Sequence, residues 1–263
     1  MDNFIISNRI QFSKYAKSYD KYAKFQHEVG LELLSELKGF IDNKINLNIN
    51  NILDLGSGTG SNFDKLLDIT KAKMILELDH SEDMLKVSKK KKSNKLLSCC
   101  ADMHNLPFSN DFKFDLVFSN LAMQWCLNLD KLLLDISSLL SKNGVLVFSS
   151  VLSGSLGEIS ESLKINNFLS KDQVLNMLSS VNNMYLCDFK YKKITRKFDS
   201  LFELFASVKK VGAAHVMQDI KNRFSQGLMT PRKMDILELT WPKDKLGRFK
   251  LSYNIGYFIY EKK

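Results

Sequence analysis

The sequence predicts an α/β fold built on a mostly parallel sheet with helices on both of its faces. Three observations carry that expectation. Short apolar runs alternate with segments of helical periodicity, a glycine-rich turn follows the first run, and five strand–helix units succeed one another at the spacing of a doubly wound sheet. The chain has 263 residues, 44% of them hydrophobic, enough to bury one sizeable core with a smaller cover.

Residues 1–46 read as helical, with Phe12, Tyr15, Ala16, Tyr19, Tyr22 and Ala23, then Val29, Leu33, Leu34 and Leu37, recurring at helical steps. Tyr15, Tyr19 and Tyr22 form one stripe, from which a hydroxyl can reach an active site. The run ILDL then meets a turn with glycine at alternate positions, Gly56, Gly58 and Gly60, ahead of Phe63, Leu66 and Leu67 at helical spacing. This reads as strand, tight turn and helix. Glycine is needed there because a side chain would clash at positive φ or hold a ligand away from the backbone. The spacing departs from the G-x-G-x-x-G turn that admits a pyrophosphate to a helix N-terminus. Starting at Asp54, the pattern D-x-G-x-G-x-G resembles motif I of the class I S-adenosylmethionine (SAM) methyltransferases, in which the turn passes under the amino-acid end of SAM.

A second apolar strand, KMILELDHS, ends in Asp79 about 20 residues past the glycines, where a carboxylate can accept hydrogen bonds from both ribose hydroxyls. Asp79 is preferred to Glu77 because it stands at the carboxyl end of the strand, with Ser81 as cap of the next helix. KLLSCC leads into Ala101, Asp102 and Met103, and FDLVFSN (114–120) leads towards a helical segment at 129–140. Asn143-Gly144 closes that helix with a turn into VLVFSSV. Further on, KDQVLNMLSS reads as a helix capped by Ser170, while MYLCDFKYKKITRKF and RFKLSYNIGYFIYEK read as two long strands. The helical insertion between those strands is too long for a simple connection. The expected organisation is a helical segment at 1–46, a core at 47–198, a helical lid at 199–242 and a final strand at 243–263 that completes the core sheet.

Residues 119–126, SNLAMQWC, resemble the biotin-pathway family that methylates the free carboxyl of malonyl-acyl carrier protein, the BioC family. Matching blocks follow in VLSGSL (151–156), SVKKVGAAHV (207–216), LMTPRKM, LELTWP (237–242) and GRFKLSYNIGYFIY, so the likeness covers almost the whole chain. The resemblance implies a Rossmann-like class I methyltransferase fold: a seven-stranded, mostly parallel sheet with an antiparallel last strand, a helical N-terminal segment and a helical lid insertion. It implies SAM as cofactor, held by Asp54, Gly56, Gly58, Gly60, Asp79 and Met84, with Asp102 at the adenine amino group, Met103 on the ring and Asn120 near the sulfonium methyl. It further implies Tyr19, Gln124 and Trp125 around the reacting groups, and Lys209, His215 or Arg232 from the lid on the distal carboxylate. Malonyl-acyl carrier protein would be an acidic protein partner. A carboxylate is already ionised at neutral pH, so such a reaction needs alignment rather than a strong base.

Composition narrows the classes. No apolar run approaches the roughly 18 to 20 residues of a membrane-crossing helix, and MDNFIISNRIQF has neither a basic nor an apolar leader region, so a cytoplasmic protein with no membrane partner is expected. Cys99, Cys100, Cys126 and Cys187 show no metal-ligand spacing and are expected as reduced core residues. His27, His80, His104 and His215 are scattered, so no metal site is expected. The net charge of +9 lies partly in residues 89–92, where lysines suit a helix end, and partly in the last third, where Lys190, Lys192, Lys193, Arg196, Lys197, Lys209, Lys210, Lys221, Arg223, Arg232 and Lys233 are available to dock an acidic carrier. Nucleic acid is set aside because no RNA-binding module accompanies the lysines. The alternatives are methylation of another small carboxylic acid or a quinone precursor, and a SAM-binding respiratory-complex assembly factor acting on a protein subunit.

Overall fold

The computed structural model describes residues 3–45, 47–91, 95–109, 111–160, 168–210 and 231–263. Among them, strands β1 (Asn51–Leu55), β2 (Met74–Asp79), β3 (Leu96–Cys100), β4 (Phe114–Asn120), β5 (Leu140–Leu152), β6 (Met184–Phe198) and β7 (Phe249–Lys262) form one sheet in the order β3-β2-β1-β4-β5-β7-β6. The first five strands run parallel, and β7 is antiparallel to both β5 and β6. The chain leaves β1 towards β2 and β3, then returns to place β4 on the other side of β1. That reversal opens a crevice at the carboxyl ends of β1 and β4.

Alternation along each strand divides the core in two. Ile52, Leu116, Phe118, Val145 and Val147 join one hydrophobic cluster, while Leu53, Leu55, Val117, Leu146 and Phe148 join the other. Strands buried on both faces read as continuous apolar runs, which is why ILDL, DLVF and VLVF stand out in the sequence. The N-terminal segment comprises α1 (Asn3–Tyr15), a 3-10 turn at Ala16–Ser18, α2 (Tyr19–Tyr22) and α3 (Lys24–Asp42). Val29, Leu33 and Leu37 of α3, with Phe63 and Leu66 of α4 (Phe63–Thr70), cover the first cluster. Beyond α5 (Glu82–Ser88), whose N-terminus Ser81 caps as expected, come the helices of the opposite face. Those are α6 (Leu129–Leu139) and α8 (Lys171–Ser180), which bring Leu132, Ile136, Val174 and Leu178 to the second cluster. A third cluster joins Ile159 of α7 (Gly157–Ser160) to Leu204, Phe205 and Val208 of α9 (Leu201–Lys210) and to Trp241, which follows α10 (Pro231–Thr240).

Several expectations change on contact with the fold. The N-terminal helix is interrupted, although neither Gly nor Pro stands between Tyr15 and Lys24. Its pieces are tied to the core by Thr59 Oγ1 donating to Asp20 at 2.5 Å and by Ser13 Oγ lying 2.8 Å from Ser81 Oγ. The Asn143-Gly144 turn is a bulge inside β5, because the register with β4 jumps from Phe114–Leu140 to Leu116–Val145. The four cysteines are free but are not core residues: Cys100 and Cys187 are exposed, and Cys99 and Cys126 are half-buried. Cys99, Cys100 and Cys187 lie on β3 and β6, the two edge strands, where cover is incomplete.

Four of the basic residues of β6 expected at a docking face are instead paired within the fold. Lys190 donates to Glu32 (2.5 Å) and Glu36 (2.6 Å), Lys192 to Glu32 (2.9 Å), and Arg196 to both oxygens of Glu28 (2.8 and 2.7 Å), all three acids being on α3. Lys197 lies 3.5 Å from Asp244. These charges staple β6 to α3 and to the approach of β7 instead of lining a free docking face.

The hydrogen bonds from Lys190 and Lys192 hold the Glu32 carboxyl below its ordinary range. A depressed folded-state value stabilises the fold above the ordinary glutamate range and is lost as pH falls through that folded value. Since both sides of the staple are partly exposed, Glu32→Gln should cost about 1 kcal/mol near neutral pH. Urea unfolding should show that difference near neutral pH, and it should vanish in acid. An equal loss at both would contradict the ion-pair account.

Candidate active site

A cavity of about 440 Å³ opens where the sheet order reverses, with Gly56, Asp79 and Asn120 in its wall. The glycine turn is pinned to the end of β2. Leu78 O accepts from Gly56 N (2.7 Å) and Ser57 N (3.1 Å), Asp79 Oδ2 accepts from Gly58 N (2.9 Å), and Asp79 Oδ1 accepts from Ser81 N (2.8 Å). Burial pushes the Asp79 carboxyl up from its ordinary value, with His80 and the two backbone N–H groups opposing.

Three glycines at positive φ serve different ends. A Cβ on Gly56 would lie 2.3 Å from the Ala122 Cβ, and one on Gly60 would lie 2.1 Å from Ser88 Oγ and 2.3 Å from Glu77 Oε1. A Cβ on Gly58 would meet nothing within 4 Å. Packing therefore requires two of the glycines, and the space beside the third belongs to the cavity that Gly58 lines. Glu77 is fully buried and accepts from Ser88 Oγ, which separates its structural task from that of Asp79. Asp54 and Gly60, expected at the cofactor, do not line the cavity: Asp54 is buried in β1 and Gly60 packs on Ser88 and Glu77.

Met84, Asp102, Met103, Tyr19, Gln124 and Trp125 all reach the cavity wall. Burial, then the charges of Asp79 and Asp20, raise the Tyr19 hydroxyl above the usual phenol range, so it stays protonated. Asn120 is there too, but its amide is already engaged, donating to Gln26 O (2.9 Å) and accepting from Ser149 Oγ (2.8 Å). The next residue, Leu121, has φ 50°, an uncommon backbone for a branched side chain. It is held by its N–H to Ser149 Oγ (3.0 Å) and by its carbonyl, which accepts from Gln124 Nε2 (2.7 Å). The strained turn aims the 3-10 segment Met123–Trp125 into the cavity, where the Trp125 ring meets Phe12 edge-on at 6.1 Å.

Of the residues expected at the distal carboxylate, Lys209 sits on α9 beside the cavity-lining Val208, with its side chain outside the described residues. His215 lies outside the described residues, as does the side chain of Arg232 on α10. Reading the sequence missed Asn8, Asp20, Gln26, His27, His80 and His104, which all line the cavity. No spacing pattern links them, because the fold alone assembles them. Asn8 Oδ1, Gln26 Oε1, Ser57 Oγ, His80 Nε2 and Gln124 Oε1 are buried polar atoms of the wall with no hydrogen-bond partner among the described residues. Each unmade bond costs about 1–3 kcal/mol, and a polar ligand relieves it. Among the described lining residues there is no Lys or Arg, while Asp20, Asp79 and Asp102 are all acidic. Such a wall suits a cationic ligand rich in donors, and SAM, with its sulfonium, ammonium, ribose hydroxyls and adenine amino group, has that chemistry. Among the described residues no group of His, Cys, Asp or Glu is placed to hold a metal ion, and no helix is long and apolar enough to cross a membrane.

The glycines provide a test. Gly58→Ala should keep the fold, at a cost of about 1–2 kcal/mol for its left-handed backbone, yet bind SAM about tenfold more weakly or worse. Gly60→Ala should lose about 3 kcal/mol or more, because strain adds to overpacking. Thermal unfolding without ligand and calorimetry with SAM read the two effects. Unaltered SAM affinity in Gly58→Ala would contradict the assignment of that space.

Residues 53–148 match the model of a methyltransferase domain. A malonyl-[acyl-carrier protein] O-methyltransferase of Hamiltonella defensa subsp. Acyrthosiphon pisum (strain 5AT) is 34% identical over 258 residues, covering 94% of this chain and 91% of that protein. The biotin biosynthesis bifunctional protein BioHC of Cellvibrio japonicus (strain Ueda107) is 26% identical over 94% of this chain and 48% of that protein. A putative methyltransferase from Bacillus halodurans C-125 shares the fold, with a TM-score of 0.61 at 16% identity over 87% of this chain and 98% of that one. The chain therefore belongs to the malonyl-[acyl-carrier protein] O-methyltransferase family and takes SAM as its cofactor.

Proposed function

We propose that this protein transfers the methyl group of SAM to the free carboxyl of a malonyl thioester on acyl carrier protein, forming the methyl ester as an early step of biotin biosynthesis. The observation that carries this reading is the position of SNLAMQWC. This segment, more specific to the family than the glycine turn, contributes Asn120, Leu121, Ala122, Gln124 and Trp125 to the wall of the cavity that Asp79 and Asp102 also line.

Bound in this cavity, SAM supplies an electrophilic methyl group whose C–S bond breaks as a carboxylate oxygen takes the carbon. The residues need not remove a proton from the acceptor, which is ionised near neutral pH. Their task is to align the reacting atoms at about 3 Å and to keep water away. Tyr19, held as a neutral phenol, acts as a hydroxyl donor and not as a base. Gln124 fixes the strained Leu121 turn, and Trp125 with Phe12 forms an apolar wall beside it.

Residues 199–242 act as a lid over the acceptor, a role supported by Val208 of α9 in the cavity wall. Since no Lys or Arg is found among the described lining residues, we assign the distal carboxylate to Lys209, His215 or Arg232. The cytoplasm, where the four free thiols would persist, is the compartment we assign.

Incubation with labelled SAM and malonyl-carrier protein should give methanol-releasable label on the carrier. Malonyl-coenzyme A and succinyl-carrier protein serve as parallel acceptors. Label on another small acid and none on either malonyl thioester would overturn the substrate assignment.

A further inference from the structure

His104 bridges the two halves of the cavity. It lies in the loop after β3, where its Nδ1 is 2.6 Å from Asp102 Oδ1 and its backbone N–H donates to the same oxygen at 3.0 Å. Across the ring, Nε2 accepts from the backbone N–H of Leu127 at 2.9 Å. Leu127 directly follows Cys126, which ends the Met123–Trp125 turn.

A ring nitrogen that accepts an N–H carries no proton, so the single proton of the neutral imidazole is on Nδ1 and is donated to Asp102. One tautomer satisfies both contacts. The planar ring thereby sets a fixed distance between the Asp102 carboxylate and the backbone just past Trp125. Lys131 of α6 braces the same loop, its Nζ donating to Asp135 (2.5 Å) and reaching His104 O (3.4 Å). Burial alone would push the Asp102 carboxyl up, but the two His104 N–H bonds outweigh it and hold the group below its ordinary range. Both His104 bonds fall on Oδ1, so Oδ2 is outside them.

We propose that His104 is a positioning residue that sets Asp102 for the adenine amino group and the Gln124–Trp125 turn for the acceptor as one unit. The proposal rests on the adenine reading of Asp102 that the family resemblance implies and on the reading of that turn given under the proposed function. Asp102 stands out in the sequence, but its link to Leu127 does not, because the His104 ring joins the two across the fold.

Two amide substitutions separate the ends, because an Asn amide nitrogen takes the place of Nδ1 and a Gln amide reaches the place of Nε2. His104→Asn keeps the donor to Asp102 and loses the acceptor for Leu127. Its SAM Kd should stay within about twofold of wild type while exchange of the Leu127 amide quickens about tenfold. His104→Gln keeps an acceptor for Leu127 and loses the ring donor, so its SAM Kd should rise about tenfold with Leu127 protection retained. Calorimetry and amide hydrogen exchange read these outcomes, and a through-bond nitrogen–nitrogen coupling between Leu127 and Nε2 should be present in the unsubstituted protein. Variants that change both readouts alike, or neither, would overturn the strut. Since no acceptor is needed for these measurements, failure to methylate malonyl-carrier protein would sink the proposed reaction and leave this test intact.

Discussion

The carboxylate of Asp79 is the constraint on which the site depends. It is buried at the tip of β2 and accepts one backbone N–H from the glycine turn and another from the start of α5. A buried charge survives only where such donors compensate for lost water. The same two bonds that stabilise the acid therefore fix the turn after β1 against the tip of β2, and so fix the floor of the cavity. Leu78 O reinforces the joint by accepting from Gly56 and Ser57. Chemistry and architecture meet in one side chain. That is why Gly58 must stay bare, whereas at Gly56 and Gly60 crowding by Ala122, Ser88 and Glu77 adds to the demand of a positive φ.

The walls are built by contacts that reach across the chain. Asp20 and Ser13 fasten the N-terminal helices to the glycine turn and to the cap of α5, bringing Phe12 and Tyr19 over the opening. Opposite them, the left-handed Leu121 turns the end of β4 into the segment that carries Gln124 and Trp125. Asn120 ties α3, β4 and β5 together through both ends of its amide, so its contribution to the cavity is shape more than a free hydrogen bond. Buried polar atoms without a partner among the described residues are concentrated in this wall, as expected of a site whose ligand completes its hydrogen bonding.

Much of this was legible in the sequence for a physical reason. Strands buried on both faces read as near-continuous apolar runs, so β1, β4 and β5 announce themselves, and glycines at alternate positions after β1 mark a turn at positive φ. Asp79 could be told from Glu77 because ligands collect at strand ends, and the fold adds that Glu77 is occupied by Ser88. What local pattern cannot carry is pairing at a distance. The acids of α3 and the cations of β6 are 154 to 168 positions apart, so the basic run read as free surface when it is a staple. The breaks around Tyr19 have no Gly or Pro to mark them, and the cavity-lining histidines have no common spacing. Cysteines in apolar runs read as core, and only the sheet order reveals that β3 and β6 are edges.

The most direct measurement is a crystal structure of the protein grown with S-adenosylhomocysteine. The account requires both ribose hydroxyls within hydrogen-bonding distance of Asp79, the amino-acid end beside Gly58 and the adenine between Asp102 and Met103. A nucleoside bound elsewhere, or an Asp79 still turned wholly to the backbone of Gly58 and Ser81 with no ligand contact, would contradict it.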